Sequence, residues 1–491
     1  MRSILATAFL AFACALVAQE PVRLRRDHVL GTSLDLTVRG TKADADAFLA
    51  AAMAEIERLD AVFSGWRNDT PVAALARGET VQNAPEDLVL VLQRADELRL
   101  ATNGAFDVRI GGVAKLWADA RKAGKKPASS ALDAALADMR ASGWSIDAAS
   151  RTITPKGKLH LSLDGIAKGY VLSAAMHKAR QAVPSVHDAL LDIGGDQVAM
   201  RGMHTDAWQL GIADPKRAED NGRVMLRVPF QGGSAATSGG YARGSMVDGT
   251  FVSHIVDPGF GQPASGALQA TVLCADAATA DALATAFCVL PPDESVQIAQ
   301  RMQGIECLVI DSKGKRHATA GFQDLLAKAT EAGGGGGDSA FPNGQELQIA
   351  LALPKLDSRR YERPYVAVWV EDDKGAHIAT LALWGRNRRW VSELTNWWKA
   401  DPEARNRVDA IGRASRGPGE YRLSWNGTDD AGAAVAAGDY TIVIEVSREH
   451  GGHTTARQKI ACRAKAASAE FTANKELANA TLRYGPREAA K

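Results

Sequence analysis

The chain has 491 residues, too many for one ordinary domain and enough for two or three. Lysine plus arginine number 58 against 57 for aspartate plus glutamate, a net charge of +1, which argues against a nucleic-acid partner that needs a basic face. Hydrophobic residues make up 46%, ordinary for a globular protein with a sizeable core.

The N-terminus, MRSILATAFLAFACALVAQE, sets Arg2 before an apolar stretch from Ile4 to Val17 and ends on small residues. This is the pattern of a cleaved export signal, and the stretch is short for a membrane span. We assign residues 1–18 to the signal, with cleavage near Ala18. Cys14 is followed by further apolar residues, and Ala11 is a poor match three places before it, so a lipid anchor is disfavoured. The expectation is a soluble exported protein, periplasmic or otherwise extracytoplasmic, associated with membranes only indirectly. The other cysteines, Cys274, Cys288, Cys307 and Cys462, show no CxxC spacing, which argues against a zinc site. Buried thiols and a disulfide both remain open for them.

Residues 29–40, VLGTSLDLTVRG, alternate as a strand does. Helical periodicity runs through 43–63 and through 85–104, where Gly104 is placed to end the helix. Residues 151–165, RTITPKGKLHLSLDG, read as a hairpin with a Lys-Gly turn, and 166–183 as a helix. Strands are expected in 188–202 and 208–215. Residues 270–290 read as strand, turn and helix, with Asp276 as N-cap. Strands and helices interleave without a regular βαβ count, so the class is α+β.

Five consecutive glycines in EAGGGGGDS hold no single conformation cheaply, so 331–340 is read as a linker between domains at 22–330 and 341–491. Beyond it, 365–385 reads as a hairpin turning at Lys374-Gly375, and 419–449 as strand, Asp/Gly turn, strand. Such short strands suggest an immunoglobulin-like β-sandwich. Six of the ten tryptophans fall here: Trp369, Trp384, Trp390, Trp397, Trp398 and Trp425. If exposed, they would make a docking patch; tryptophans are more often core.

Several stretches carry chemistry-bearing residues. Asp281 and Thr285 lie four apart on the expected helix, so one face offers a carboxylate and a hydroxyl, hard ligands that suit magnesium. A polar stripe facing water would show the same spacing. In LDGIAKGY (163–170), a glycine turn leads into a helix carrying Lys168, an arrangement that attracts phosphate. DIGGDQV (192–198) and AATSGGYARG (235–244) add glycine pairs and the hydroxyls of Thr237 and Ser238, with neither a GxSxG elbow nor a Walker loop. SHIVDPGFGQP (253–263) puts His254 at the end of a strand, just before an Asp-Pro turn.

Taken in order, LGTSLDLTV, FSGWRNDT, GAFDV, LDGIAKGY, DIGGD, WQLGIADP, ATSGGY, SHIVDPGFGQP and ADALATAF resemble the ApbE family, the FAD:protein FMN transferases, from about residue 28 to residue 328. The resemblance implies Mg2+-dependent transfer of FMN from FAD to a threonine hydroxyl of an exported acceptor flavoprotein, with release of AMP. It implies Asp281, Thr285 and the carbonyl of Gly165 as magnesium ligands, and His254 as general base. It further implies Lys168, Leu30, Trp66, Ala105, Phe106, Asp107, Ser162 and Ile255 as contacts of the flavin nucleotide. Four places depart from the pattern: Leu30 stands where the family usually has methionine, Ala76 where it has asparagine, and Ser162 and Ser173 where it has aspartate, while Asp164 lies close by. The same metal ligands keep open an Mg2+-dependent FAD pyrophosphatase, and the losses at Ser162 and Ser173 keep open a weakened FAD-binding protein. The second domain resembles a β-rich domain of unknown function found beside or fused to such transferases, through ELTNWWKA (393–400) and WNGTDDAG (425–432). The latter is also similar to the immunoglobulin-like repeats of flagellar hook-capping proteins.

Overall fold

The structure is a computed structural model. It describes residues 21–486 except 66, 203–205, 216–223, 241–243, 332–340, 342–343, 356–362, 386–390, 402–411, 414–415, 431–432 and 449–451. The export signal, Trp66, Trp390 and the glycine run therefore lie outside the described residues.

The chain opens on a hairpin of β1 (Val22–Val29) and β2 (Thr32–Val38). Val29 pairs with Thr32, so Leu30 and Gly31 form a two-residue turn, both at positive φ, 47° and 77°. This corrects the reading of 29–40 as one strand. Hairpin twist demands such a turn, and a leucine there stores backbone strain of about 1–3 kcal/mol. Helix α1 (Lys42–Phe63) starts where the Thr41 hydroxyl accepts from Asp44 N–H, and it buries Phe48, Leu49, Ala52, Ile56 and Leu59 at helical spacing. Helices α2 (Pro71–Ala76) and α3 (Glu86–Ala101) follow; α3 ends with Asn103, at φ 52°, in the left-handed position expected of Gly104, and Gly104 N–H, one residue beyond, donates to the Arg99 carbonyl at 2.8 Å. After α4 (Gly111–Ala123) and α5 (Ser129–Ala141) comes a hairpin of β3 (Gly143–Asp147) and β4 (Thr152–Lys156). The hairpin thus precedes the predicted Lys-Gly turn. The Asp147 carboxylate accepts from the Ala149 and Ser150 N–H groups and makes the turn itself, and residues 157–163 form no strand.

Helix α6 (Ala167–Ala182) leads to β5 (Ala189–Ile193), β6 (Asp196–Met200), β7 (Trp208–Ala213), β8 (Val224–Phe230), β9 (Gly233–Gly239) and the hairpin β10 (Ser245–Val247) and β11 (Thr250–Val252). The domain closes with β12 (Gln269–Cys274), α7 (Ala277–Val289), α8 (Pro292–Arg301), β13 (Glu306–Ile310), β14 (Arg316–Ala318), α9 (Ala320–Ala327) and β15 (Thr330–Glu331). Eight strands make one antiparallel sheet in the order β1-β2-β5-β6-β9-β12-β13-β14, an α+β arrangement. Its two faces are separated by strand alternation. Val272 and Val309 enter the core shared with α1, α6 and α7, whereas Leu273 and Leu308 pack with Trp208, Val228, Phe230 and Phe322 of the small β15-β8-β7 sheet and α9.

In the second unit, β16 (Gln345–Leu353), β17 (Tyr365–Glu371), β18 (His377–Trp384), β19 (Gly412–Arg413), β20 (Gly419–Trp425), β21 (Gly438–Ser447), β22 (His453–Cys462), β23 (Ala467–Glu470) and β24 (Asn479–Pro486) form two sheets, β20-β16-β24-β23 and β19-β18-β17-β21-β22. They share one core of alternate residues, among them Leu347, Ile349 and Leu351 from one sheet and Val366, Val368, Ile442 and Ile444 from the other, so this is the expected β-sandwich. Trp369, Trp384, Trp397 and Trp425 are fully buried, which overturns the docking patch in favour of core packing. Cys274, Cys288, Cys307 and Cys462 are all free thiols; burial pushes Cys288, Cys307 and Cys462 up to about 12, leaving them inert.

Candidate functional site

Helix α7 is buried on nearly every side because its face residues are small: Ala277, Ala278, Ala280, Ala282, Ala284 and Ala286. Its N-cap is Asp276, which accepts from Thr279 N–H at 3.2 Å, as the sequence suggested. Asp281, on its second turn, is 1% exposed. The start of α6 crosses it at backbone contact. A Cβ on Gly169 would stand 2.0 Å from the Ala277 carbonyl oxygen, and this closeness lets Gly169 N–H donate to Asp281 Oδ2 at 3.3 Å. Lys168 Nζ lies 3.9 Å from Asp281 Oδ1 and donates to Asp196 Oδ2, itself buried. Burial raises the Asp281 pKa, and the neighbouring Asp196 charge raises it further, against the opposing pull of Lys168 and the Gly169 N–H. The pair of carboxylates around one ammonium is a site that favours added positive charge.

The other two residues of the expected ligand set lie against each other, with Thr285 one helical turn beyond Asp281 on α7. A Cβ on Gly165 would lie 3.1 Å from Thr285 Oγ1 and 3.4 Å from the Phe106 ring. Ser238 Oγ, near the end of β9, is 3.3 Å from Thr285 Oγ1. Replacing Gly169 by alanine is expected to destabilise this domain by about 3 kcal/mol, since backbone on both sides prevents relief. It would also force Lys168 and Gly165 away from α7. Denaturant unfolding checks this: G169A within 0.5 kcal/mol of wild type, where roughly 3 is expected from overpacking, would contradict the close packing of the helices.

Ala105 and Phe106 are buried beside this cluster, and Phe106 N–H donates to Thr102 Oγ1 at 3.1 Å. Asp107 is committed within the protein. It caps the 3-10 turn Val108–Ile110 and holds the Arg109 guanidinium, which reaches on to the Ser142 carbonyl at 3.0 Å. It shapes the loop that carries Phe106. Ser162 N–H donates to the Val108 carbonyl at 2.7 Å, while its hydroxyl reaches Asp164 at 3.4 Å. Asp164 is exposed, and its charge adds to the influences that raise the Asp281 pKa. Leu30 sits partly buried on the main core at the tip of the first hairpin.

His254 lies two residues past β11, in a bend rather than in a strand, and is half-buried. The loop that carries it is tightly tied. Ser253 Oγ accepts from Ile255 N–H at 3.0 Å, and the Ile255 carbonyl accepts from Ala264 N–H at 2.8 Å. The Gly261 carbonyl accepts from Trp117 Nε1 at 2.8 Å, and Gly261 itself adopts φ 66°. Ile255 is buried in the main core. A Cβ on Gly240 would stand 2.6 Å from Ser253 Oγ, so the end of β9 touches the histidine loop at Gly240 and touches α7 at Ser238. The sequence reading assigned no role to Asp196. Its signal was present in DIGGD: Gly194 and Gly195, at φ 62° and 99°, turn the hairpin and place the aspartate at the first position of β6.

Residues 30–309 match the family model described as the ApbE family, and 346–479 match one described as "Predicted periplasmic protein (DUF2271)". The chain is 29% identical over 314 residues to the FAD:protein FMN transferase of Rhodobacter capsulatus, covering 62% of this chain and 58% of that protein. It is 30% identical over 307 residues to the enzyme of the same name from Klebsiella pneumoniae, covering 59% of this chain and 84% of that one. The crystal structure of the ApbE protein of Thermotoga maritima superposes with a TM-score of 0.57 at 26% identity, over 62% of this chain and 99% of that one. The flavin transferase ApbE of Vibrio cholerae, at 24% identity and a TM-score of 0.53 over 62% of this chain and 99% of that one, shares the fold. No described helix is long and apolar enough to cross a membrane.

Proposed function

Because this chain belongs to the ApbE family across residues 30–309, we propose that it transfers FMN from FAD to a threonine hydroxyl of an exported acceptor protein, in the periplasm, and releases AMP. The observation that supports this reading is that Lys168 reaches Asp196 and Asp281 at the start of α6, while the Gly165 turn packs on Thr285, one helical turn further along α7 from Asp281.

The residues present fit a magnesium ion. Asp281, Thr285 and the Gly165 carbonyl would supply only hard oxygen donors, and the buried Asp281 carboxylate sits where burial and Asp196 favour a further cation. Mg2+ held there would neutralise charge on the pyrophosphate of FAD. Lys168 is held by Asp196 and Asp281, so its ammonium enters the site already oriented. Phe106 and Ala105 are buried, and would offer the dinucleotide an apolar wall that excludes water. His254 would take the proton from the acceptor hydroxyl as its oxygen bonds to the phosphorus of the FMN half. The bond between that phosphorus and the bridging oxygen breaks, and AMP departs with the electron pair.

The test is incubation of the full chain with FAD, Mg2+ and an acceptor bearing a Ser/Asp-Gly-Ala-Thr type motif. Expected are a gain of one FMN mass on the acceptor threonine and one AMP for each acceptor modified. AMP released at the same rate with no acceptor, and no mass gain, would replace this reading with a pyrophosphatase.

A further inference from the structure

The second domain contains a side-chain cluster that the transferase reading does not use. His377 opens β18, Asp401 follows the short helix Thr395–Ala400, and Asp430 lies in the loop between β20 and β21. The last two belong to the segments around ELTNWWKA and WNGTDDAG by which this domain was recognised in the sequence. Donor atoms of the three residues lie within 4.8 Å of one another. We propose that this cluster is a binding site for one divalent transition-metal ion of the zinc class, separate from the magnesium site.

Three features of the geometry support this. Asp401 is 3% exposed and the His377 side chain 6%, so a carboxylate and an imidazole have been brought together away from water. Asp430 is held by its other oxygen: Oδ1 accepts from Thr380 N–H at 2.9 Å, leaving Oδ2 turned toward His377 Nδ1 at 3.6 Å. A charged imidazolium–carboxylate hydrogen bond would close to about 2.7–2.9 Å. Two ligands on a tetrahedral ion with bonds of about 2.0–2.1 Å stand roughly 3.3–3.4 Å apart, much nearer the spacing seen. Finally, the other imidazole nitrogen, Nε2, lies 2.9 Å from Thr380 Oγ1, which also accepts from Trp397 Nε1 at 3.0 Å. With Nε2–H donating to that hydroxyl, the imidazole would present its Nδ1 to the carboxylates, the tautomer that a ligating histidine requires.

One nitrogen and two carboxylates select zinc, or a neighbour such as manganese, over magnesium, which prefers oxygen and retained water. The three ligands come from segments far apart in the chain, so the ion would clip the helix Thr395–Ala400 and the β20–β21 loop onto the edge of β18. Its contribution is therefore structural, and it requires no flavin chemistry.

The experiment uses the full chain with Asp281→Asn, which removes the carboxylate of the magnesium site. The protein is stripped with chelator, then titrated with Zn2+ in millimolar Mg2+ and followed by calorimetry, metal analysis and tryptophan fluorescence. One zinc per chain is expected, with binding at least about 100-fold weaker once His377→Gln or Asp401→Asn is added. Co2+ in the same protein is expected to give the visible absorption of a four-coordinate ion, a readout that stands even if Asp401→Asn fails to fold. No zinc bound tighter than about 1 mM, or zinc binding unchanged by His377→Gln, would overturn the proposal and leave an imidazole held between two carboxylates.

Discussion

Replacing Asp281 by asparagine is expected to lower the rate of FMN transfer by at least about 10³-fold while leaving the fold intact. The carboxylate is the one charged member of the proposed ligand set, and it is buried where no water can take its place. Asparagine keeps the shape and still offers an oxygen to the Gly169 N–H, which donates at 3.3 Å in the native protein. What it removes is the negative charge that would hold a divalent cation against Lys168. Because burial and Asp196 both disfavour that charge, the metal-free variant should melt at the wild-type temperature or above it. This separates a functional role from a structural one: a structural carboxylate would lower the melting temperature together with the rate. Raising Mg2+ should recover little activity. Wild-type rates in D281N, or a fall in rate that only mirrors unfolding, would show that Asp281 holds no ion.

Much of this site was legible in the sequence because its parts are local. Asp281 and Thr285 are one helical turn apart, and Asp276 caps the same helix as its residue type suggests. The parts that escaped depend on tertiary placement. Leu30 is not a turn former, and the alternation on either side of it hid a hairpin tip that the register and positive φ reveal. The second hairpin was misplaced because Lys156-Gly157 looked a better turn than the Asp147 loop, which closes through side-chain acceptance of two N–H groups. Asp196 follows a glycine pair that reads equally well as any tight turn. Its importance comes only from Lys168, 28 residues earlier, reaching it from the start of α6. The tryptophans of the second domain were ambiguous in sequence, since surface and core tryptophans look alike until two sheets close over Trp384 and Trp425.

Replacing His254 by alanine is expected to slow transfer by about 10²–10⁴-fold, the range for loss of a positioned general base. FAD affinity and Mg2+ dependence should stay near wild type. The reason lies in how the loop is held. Ser253, Ile255, Gly261 and Trp117 tie it by bonds that do not involve the imidazole, and Gly240 packs on Ser253. Removing the ring therefore leaves the loop and the proposed ligand cluster in place. The decisive readout is the pH profile. A base works only when neutral, so at Mg2+ high enough to keep Asp281 ionised, wild-type kcat/KM should rise with unit slope on the acid side and then level off, whereas H254A should lose that limb. A histidine that merely packed the loop would instead lower stability and leave the shape of the profile unchanged. A more acidic acceptor, such as a cysteine thiol substituted for the threonine, needs less help in losing its proton and should narrow the gap between H254A and wild type. If H254A keeps both its rate and its acid limb, the proton goes elsewhere, and the hydroxyl of Ser238 or the exposed Asp164 carboxylate becomes the next group to test.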